Sequence, residues 1–229
     1  MAIESKNKHA NTFVSNLKEV GRLTEIHSQI TTKGPGRKYD VQILHKSAIV
    51  LLVACWEAYV EDLARETLKF MIENGKNHTV FPNYVLERIG SMHGGINAWK
   101  LAGQGWKKAM RGNLDGVLAK TTGTLNTPKT AQVNDLFKKC IGLEKLSSAW
   151  YWSGRSVIQT TDALDDLVTL RGSIAHRVTT ADSVTLKHVR DSRSFINRLA
   201  VRSHNRICMY VHSQVGKVPW ESLRFAKTI

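Results

Sequence analysis

An all-α fold is what this sequence predicts, on three observations. Four long stretches place apolar residues at spacings of three and four, and none of comparable length alternates apolar and polar residues as a half-buried strand would. At 42% hydrophobic over 229 residues, the chain can also bury a substantial core, which argues against disorder. The length suits one large domain or two small ones, and neither an internal repeat nor a low-complexity tract is present.

The first helix is expected over 11–30, with Phe13, Val14, Leu17, Val20, Leu23 and Ile26 on one face. It ends before the Lys33-Gly-Pro-Gly36 turn, where proline cannot continue a helix. The second begins near Tyr39 and reaches Glu73, with Asn74-Gly75 as its C-cap. Its middle, Ala48 to Trp56, is apolar on all sides, which marks it as the central helix of a bundle.

Between Ser91 and Lys129 the sequence turns glycine-rich and basic, with six bases facing a single acid, Asp115, for a local charge of +5. This reads as a Gly/Trp-rich insertion at about 91–129, carrying short helices near 97–102 and 106–119. Thr127 and Pro128 predict a new helix, with Thr as N-cap and Pro at the first position. A third strong helix is expected over 161–177, its first turn made acidic by Asp162, Asp165 and Asp166 to suit the positive end of the dipole. The fourth covers 183–215, with Val189, Ile196, Leu199, Ile207 and Tyr210 as its buried stripe.

Composition narrows the function. With 33 Lys+Arg against 19 Asp+Glu, the formal charge is +14, a field that favours polyanions, nucleic acid ahead of a membrane surface. Cys55, Cys140 and Cys208 are widely separated and form no C-x-x-C, so neither a disulfide framework nor a cysteine zinc site is expected, and a reducing cytoplasmic setting fits. The longest uninterrupted apolar run is nine residues, against the roughly 20 that cross a bilayer. No P-loop, nucleophile-elbow or zincin motif occurs.

The most informative segment is Leu167-Val-Thr-Leu-Arg171-Gly-Ser-Ile-Ala-His176-Arg177, where an arginine and a histidine stand five apart in an otherwise apolar helix. Five residues turn a helix by about 140° and advance it about 7.5 Å, so the two cannot share one face but can line two sides of a cleft. In a twofold dimer such a cleft would collect two of each. Cleaving RNA without metal needs a base for the 2′-OH, an acid for the leaving 5′-oxygen and a cation for the phosphorane, roles within reach of histidine and arginine. The spacing alone leaves a second reading open, in which the basic residues of a last turn complement the helix dipole.

Arg171-Gly-Ser-Ile-Ala-His176 resembles the R-x4-6-H signature of the HEPN superfamily, and Cys55-Trp-Glu-Ala-Tyr-Val-Glu-Asp62 looks like the matching upstream helix of its RiboL-PSP-type branch. The resemblance covers about 40–75 and 155–215 and implies a single HEPN-like domain over 1–229, an antiparallel helical bundle with core helices at about 11–75 and 155–215. It further implies a metal-independent endoribonuclease without cofactor, with Arg171 and His176 as catalytic pair in a composite site of a homodimer. The implied setting is phage defence or a toxin-type effector, with an antitoxin or defence-system partner. Where the family's arginine is often followed by a polar residue, this chain has Gly172, with Ser173 a substitute candidate. That departure supports the rival, a non-catalytic HEPN module that binds RNA or nucleotide or scaffolds a dimer. A DNA-binding regulator finds no helix-turn-helix to support it.

Glu57 and Glu61 share a helical face and are candidates to orient His176 or clamp Arg171, or else an ordinary solvated helix edge. Arg198, Arg202 and Arg206, every fourth residue, form a stripe that could follow a phosphate backbone, with Arg177 added from the preceding helix. Lys107, Lys108 and Arg111 with Trp99 and Trp106 are the second candidate RNA surface, through stacking and phosphate contacts; core anchoring is the alternative for the tryptophans. His204, Cys208 and His212 also repeat every fourth residue, but eight residues of helix are about 12 Å, too far for one ion, and no metal is expected there.

Overall fold

The structure, a computed structural model, describes residues 7–30, 41–119, 125, 127–177 and 183–225, with the backbone alone of Ile30 and Arg177. The predicted turn at 33–36, the helix start at Tyr39, Lys120 and Gly123 lie outside the described residues. The helices run in the order α1 (Lys8–Ile30), α2 (Gln42–Asn74), α3 (Asn83–Ser91), α4 (Gly105–Gly112), α5 (Leu114–Ala119), α6 (Thr130–Ile141), α7 (Val157–Arg177) and α8 (Leu186–Val215). Among the described residues there is no strand, and one isolated bridge pairs Trp152 with Arg155.

The four long helices alternate in direction. Phe13 packs on Tyr59 and His27 on His45, so α1 and α2 are antiparallel. The Tyr59 hydroxyl donates to the Ala200 carbonyl at 3.0 Å and His45 Nδ1 to that of Val184 at 2.8 Å, so α8 runs parallel to α2. α7 returns antiparallel to α8: Arg155, just before α7, packs 4.7 Å from the Phe195 ring well along α8, while α7 ends nine residues before α8 begins. α2 packs against α1, α4, α6, α7 and α8, the central place its apolar middle predicts. By length and composition α2 could cross a membrane; here Ile49, Leu52, Val53, Trp56 and Leu63 are buried in protein. Its polar indole and phenol groups are satisfied: Trp56 Nε1 donates to the Pro128 carbonyl at 3.1 Å, and Trp150, edge-on to Trp56, donates to Ser203 Oγ at 2.9 Å.

Several boundaries differ from expectation for identifiable reasons. α6 starts at Thr130, two residues after Pro128, and Thr127 is not its cap. Instead Asp165 Oδ1 accepts the Thr130 N–H at 2.7 Å, so a carboxylate from α7 serves the positive end of α6. This also corrects the acidic-first-turn reading: α7 begins four residues before Thr161, at Val157, and its first turn holds no acid. α8 starts at Leu186, where the Thr185 side chain accepts the His188 N–H at 3.1 Å. Gly75 does cap α2, with φ −61°; its N–H bonds the Met71 carbonyl at 2.7 Å, and a Cβ would stand 2.8 Å from that oxygen. The expected helix over 106–119 divides at Asn113.

Asp165→Ala is expected to cost about 1–2 kcal/mol, the loss of a charged cap on α6. Urea unfolding measures it, and Asp165→Asn, which keeps an acceptor, should lose less.

The basic segment is built into the core through Trp106, Met110, Val117, Leu118 and Leu125, all buried. Trp106 stacks edge-on with Phe81, which fixes α4 against the 3-10 turn His78–Val80 and the residues after it.

Candidate active site

The C-terminal half of α7 carries the site. Leu164, Leu167, Val168 and Ile174 bury one side of the helix, and this burial leaves Arg171 half-buried at its edge and His176 exposed in the last turn. Arg171 Nε is shielded from solvent and has no hydrogen-bond partner; no described residue lies within ion-pair distance of its guanidinium. Its nearest charge effect is on Glu57 of α2. Half-burial pushes the Glu57 carboxyl above the usual carboxylate range, and the Arg171 charge draws it partly back. Glu61, one turn further along α2, is raised by burial and then by the charges of Glu57 and Asp62, against the pull of Arg65.

Arg171 and His176 diverge around α7. Helix geometry sets them about 140° apart: the Arg171 charge is felt at Glu57 of α2, whereas His176 follows the cleft-lining Ser173 by three residues. At Gly172 an added Cβ would meet no atom within 4 Å. Packing within this chain therefore does not demand glycine here. Gly172→Ala is expected to stabilise the fold by about 0.5–1 kcal/mol through helix propensity, read as a higher melting temperature.

The other candidates separate into held and open groups. Arg202 Nε donates to the Ala149 carbonyl at 2.9 Å with its guanidinium over Tyr151, and Arg198 lies between Trp152 and Phe225, 4.0 Å from the latter ring. Arg206 is half-buried with Nε shielded and unpartnered. Two of the three stripe arginines thus brace the 149–152 turn and the C-terminal segment rather than standing free. Arg111 grips Glu73 through both Nε and Nη2 at 2.5 Å, and Lys107 donates to the Glu73 carbonyl at 3.2 Å. Lys108 is exposed, and the Arg177 side chain lies outside the described residues.

Trp106 is 6% exposed and Trp99 77%, so the stacking expectation is corrected for Trp106: burial on Phe81 leaves its ring no free face, while Trp99 keeps one. His204 is fully buried, donating through Nε2 to the Glu221 carbonyl at 2.8 Å, and Cys208 Sγ donates to Trp220. Among the described residues no group of three His, Cys, Asp or Glu is placed to hold a metal.

A feature the sequence reading missed is a cleft of about 540 Å³ between α7 and the first half of α8. Arg155, Asp166, Ser173, His188, Asp191 and Phe195 line it together with an apolar floor. They come from a turn and two helices, so no spacing along the chain groups them. The one hint was the i, i+3 relation of Ser173 to His176.

These features define an all-α bundle protein of the HEPN kind, with an arginine and an exposed histidine five residues apart at the end of a core helix. The chain belongs to the RiboL-PSP-HEPN family, whose model matches residues 11–209. Neither curated proteins nor solved structures gave a match.

Proposed function

We propose that the protein is a cytoplasmic, metal-independent endoribonuclease that works as a homodimer. The observation that carries this is Arg171: a half-buried guanidinium with an orphan donor, opposite a carboxylate that does not touch it, beside an exposed histidine. With no ion pair to a described residue, the terminal nitrogens of the Arg171 fork suit a phosphate oxygen.

In this reading His176 takes the proton of the 2′-OH as its oxygen attacks phosphorus. The P–O5′ bond breaks, and the leaving 5′-oxygen receives a proton from an imidazolium. The products are a 2′,3′-cyclic phosphate and a 5′-OH. Arg171 holds the nonbridging oxygens, whose charge grows as the phosphorane forms. Because Arg171 and His176 diverge within one chain, pairing two copies is what brings base, acid and cation to one phosphate. The outward stripe of α2 suits such pairing: Leu51 is 45% exposed, Ala54 is exposed and Ala58 half-exposed, next to Glu57, where the Arg171 charge is felt. Family membership is the ground for an effector role in defence or as a toxin.

The test is labelled RNA and its DNA counterpart incubated in EDTA with the protein and with His176→Ala. RNA cut by the unaltered protein alone, with DNA intact, is expected; RNA cut equally by both, or by neither, overturns the reading. Leu51→Arg on the α2 stripe is expected to turn a sedimenting dimer into a monomer and to remove cleavage with it. A wild-type monomer at micromolar concentration would refute the composite site. Gly172 favours one second reading, a module that binds RNA without cutting it, for which the same assay shows bound but intact RNA.

A further inference from the structure

The cleft between α7 and α8 takes no part in the chemistry above, yet its walls are chemically specific. At about 540 Å³ it falls within the roughly 300–1,000 Å³ of small-molecule sites. Phe195 and Arg155 line it, the Arg155 guanidinium 4.7 Å from the Phe195 ring and 5.8 Å from that of Trp152. Arg155 spends one Nη2 hydrogen on the Gln159 carbonyl at 3.3 Å, and its Nε is shielded from solvent, which leaves the other Nη hydrogens for a ligand. Two carboxylates also line the cleft, Asp166 from α7 and Asp191 from α8. Asp166 is exposed and makes no ion pair with a described residue; Asp191 gives Oδ2 to Lys187 at 2.6 Å, an exposed pair that is readily exchanged.

A carboxylate accepts two parallel donors, and an arginine supplies donors for an oxygen beside them. Among the four RNA bases, guanine alone offers that complement, N1–H and N2–H₂ side by side with O6 next to them. Adenine and cytosine set a single amino group beside an acceptor, and uracil sets one N–H between two carbonyls. The place also matters. Ser173 lines the cleft, and His176 follows three residues later on the same face of α7, about 4.5 Å along its axis.

We propose that this cleft is a guanine-binding site in which a carboxylate, Asp166 or Asp191, reads the N1/N2 edge, Arg155 donates to O6 and Phe195 forms the aromatic wall. The seated base lies next to the phosphate on which His176 acts; that second statement rests on the nuclease reading, and the first does not.

The experiment titrates the full chain with 5′-GMP, 5′-IMP, 5′-AMP, 5′-CMP and 5′-UMP by calorimetry, and repeats it on Asp166→Asn/Asp191→Asn. GMP is expected to bind about tenfold or more tighter than the other four, the discrimination of one bidentate contact. IMP, which lacks N2, should fall with the weaker group, and the double variant should lose the preference while keeping its melting temperature. Equal binding of the five nucleotides, no binding, or a preference unchanged in the double variant overturns the guanine site. Mapped cleavage of a mixed-sequence RNA then tests the position: cuts beside guanine are expected, and cuts without base preference reject it. If RNA is not cut at all, the nuclease reading falls, while the nucleotide titrations still decide the cleft.

Discussion

Replacing His176 by alanine is expected to slow RNA cleavage by about 10³-fold, within the range by which a positioned proton-transfer group accelerates a reaction. The side chain is exposed in the last turn of α7, so its removal leaves the core untouched, and the melting temperature should not move. Binding of an RNA with a 2′-deoxy residue at the scissile position should also persist, because that ligand keeps its phosphates and lacks the nucleophile. Single-turnover cleavage measures the loss. A variant that cuts within about tenfold of wild type would show that another group carries the proton. Arg171→Lys gives the complementary result: lysine keeps the charge but lacks the planar fork, so a loss of about 10²-fold or more is expected from geometry alone.

The second large effect is on stability in acid. His9 of α1 is buried, its ring against Tyr59 of α2, His204 of α8 and Trp220 beyond it. A carbonyl can only accept, so His204 Nε2 carries the hydrogen donated to Glu221. His204 Nδ1 is then an acceptor, and the His9 Nε2–H fills it at 3.0 Å. This chain of donors holds both rings neutral. Burial, and then the neighbouring His204, lowers His9 from 6.5 to about 3, and burial lowers His204 as well.

A histidine whose native value lies below its unfolded one is protonated first in the unfolded chain. Stability is therefore intact above 6.5 and falls as pH is lowered through the interval down to about 3. The slope from His9 alone is about 1.4 kcal/mol per pH unit, or roughly 2 kcal/mol lost between pH 7 and pH 5. Urea midpoints across that range measure it. His9→Gln retains a donor for His204 and cannot titrate, so it should flatten the dependence; an unchanged slope in the variant would place the acid sensitivity elsewhere.

Much of the architecture is legible along the chain because helices are made locally. The three- and four-residue spacing of Phe13, Leu17 and Val20 marks α1, and the unbroken apolar run at 48–56 marks the helix that others surround. Boundaries were less legible wherever a distant group supplied the cap. α6 opens on Asp165 of α7, which Thr127 and Pro128 cannot disclose, and that aspartate serves the N-terminus of α6 and not that of its own helix. The tryptophans make the same point. Trp99 and Trp106 stand among similar basic neighbours in sequence, but one meets Phe81 and the other meets solvent.

At the site, the residue types and their interval were in the sequence: Arg171 and His176, five apart at the end of an apolar helix, with two glutamates on the helix upstream. A helix converts an interval into an angle, which is why the divergence of the pair could be foreseen. The tertiary structure decided what each residue faces. The Arg171 charge is felt at Glu57 of α2, His204 is satisfied by His9 and a C-terminal carbonyl, and Arg155, Asp166, Asp191 and Phe195 line one cleft. Backbone periodicity is encoded between near neighbours in the chain, whereas burial, partners and orphaned donors arise between residues that meet only when the helices pack.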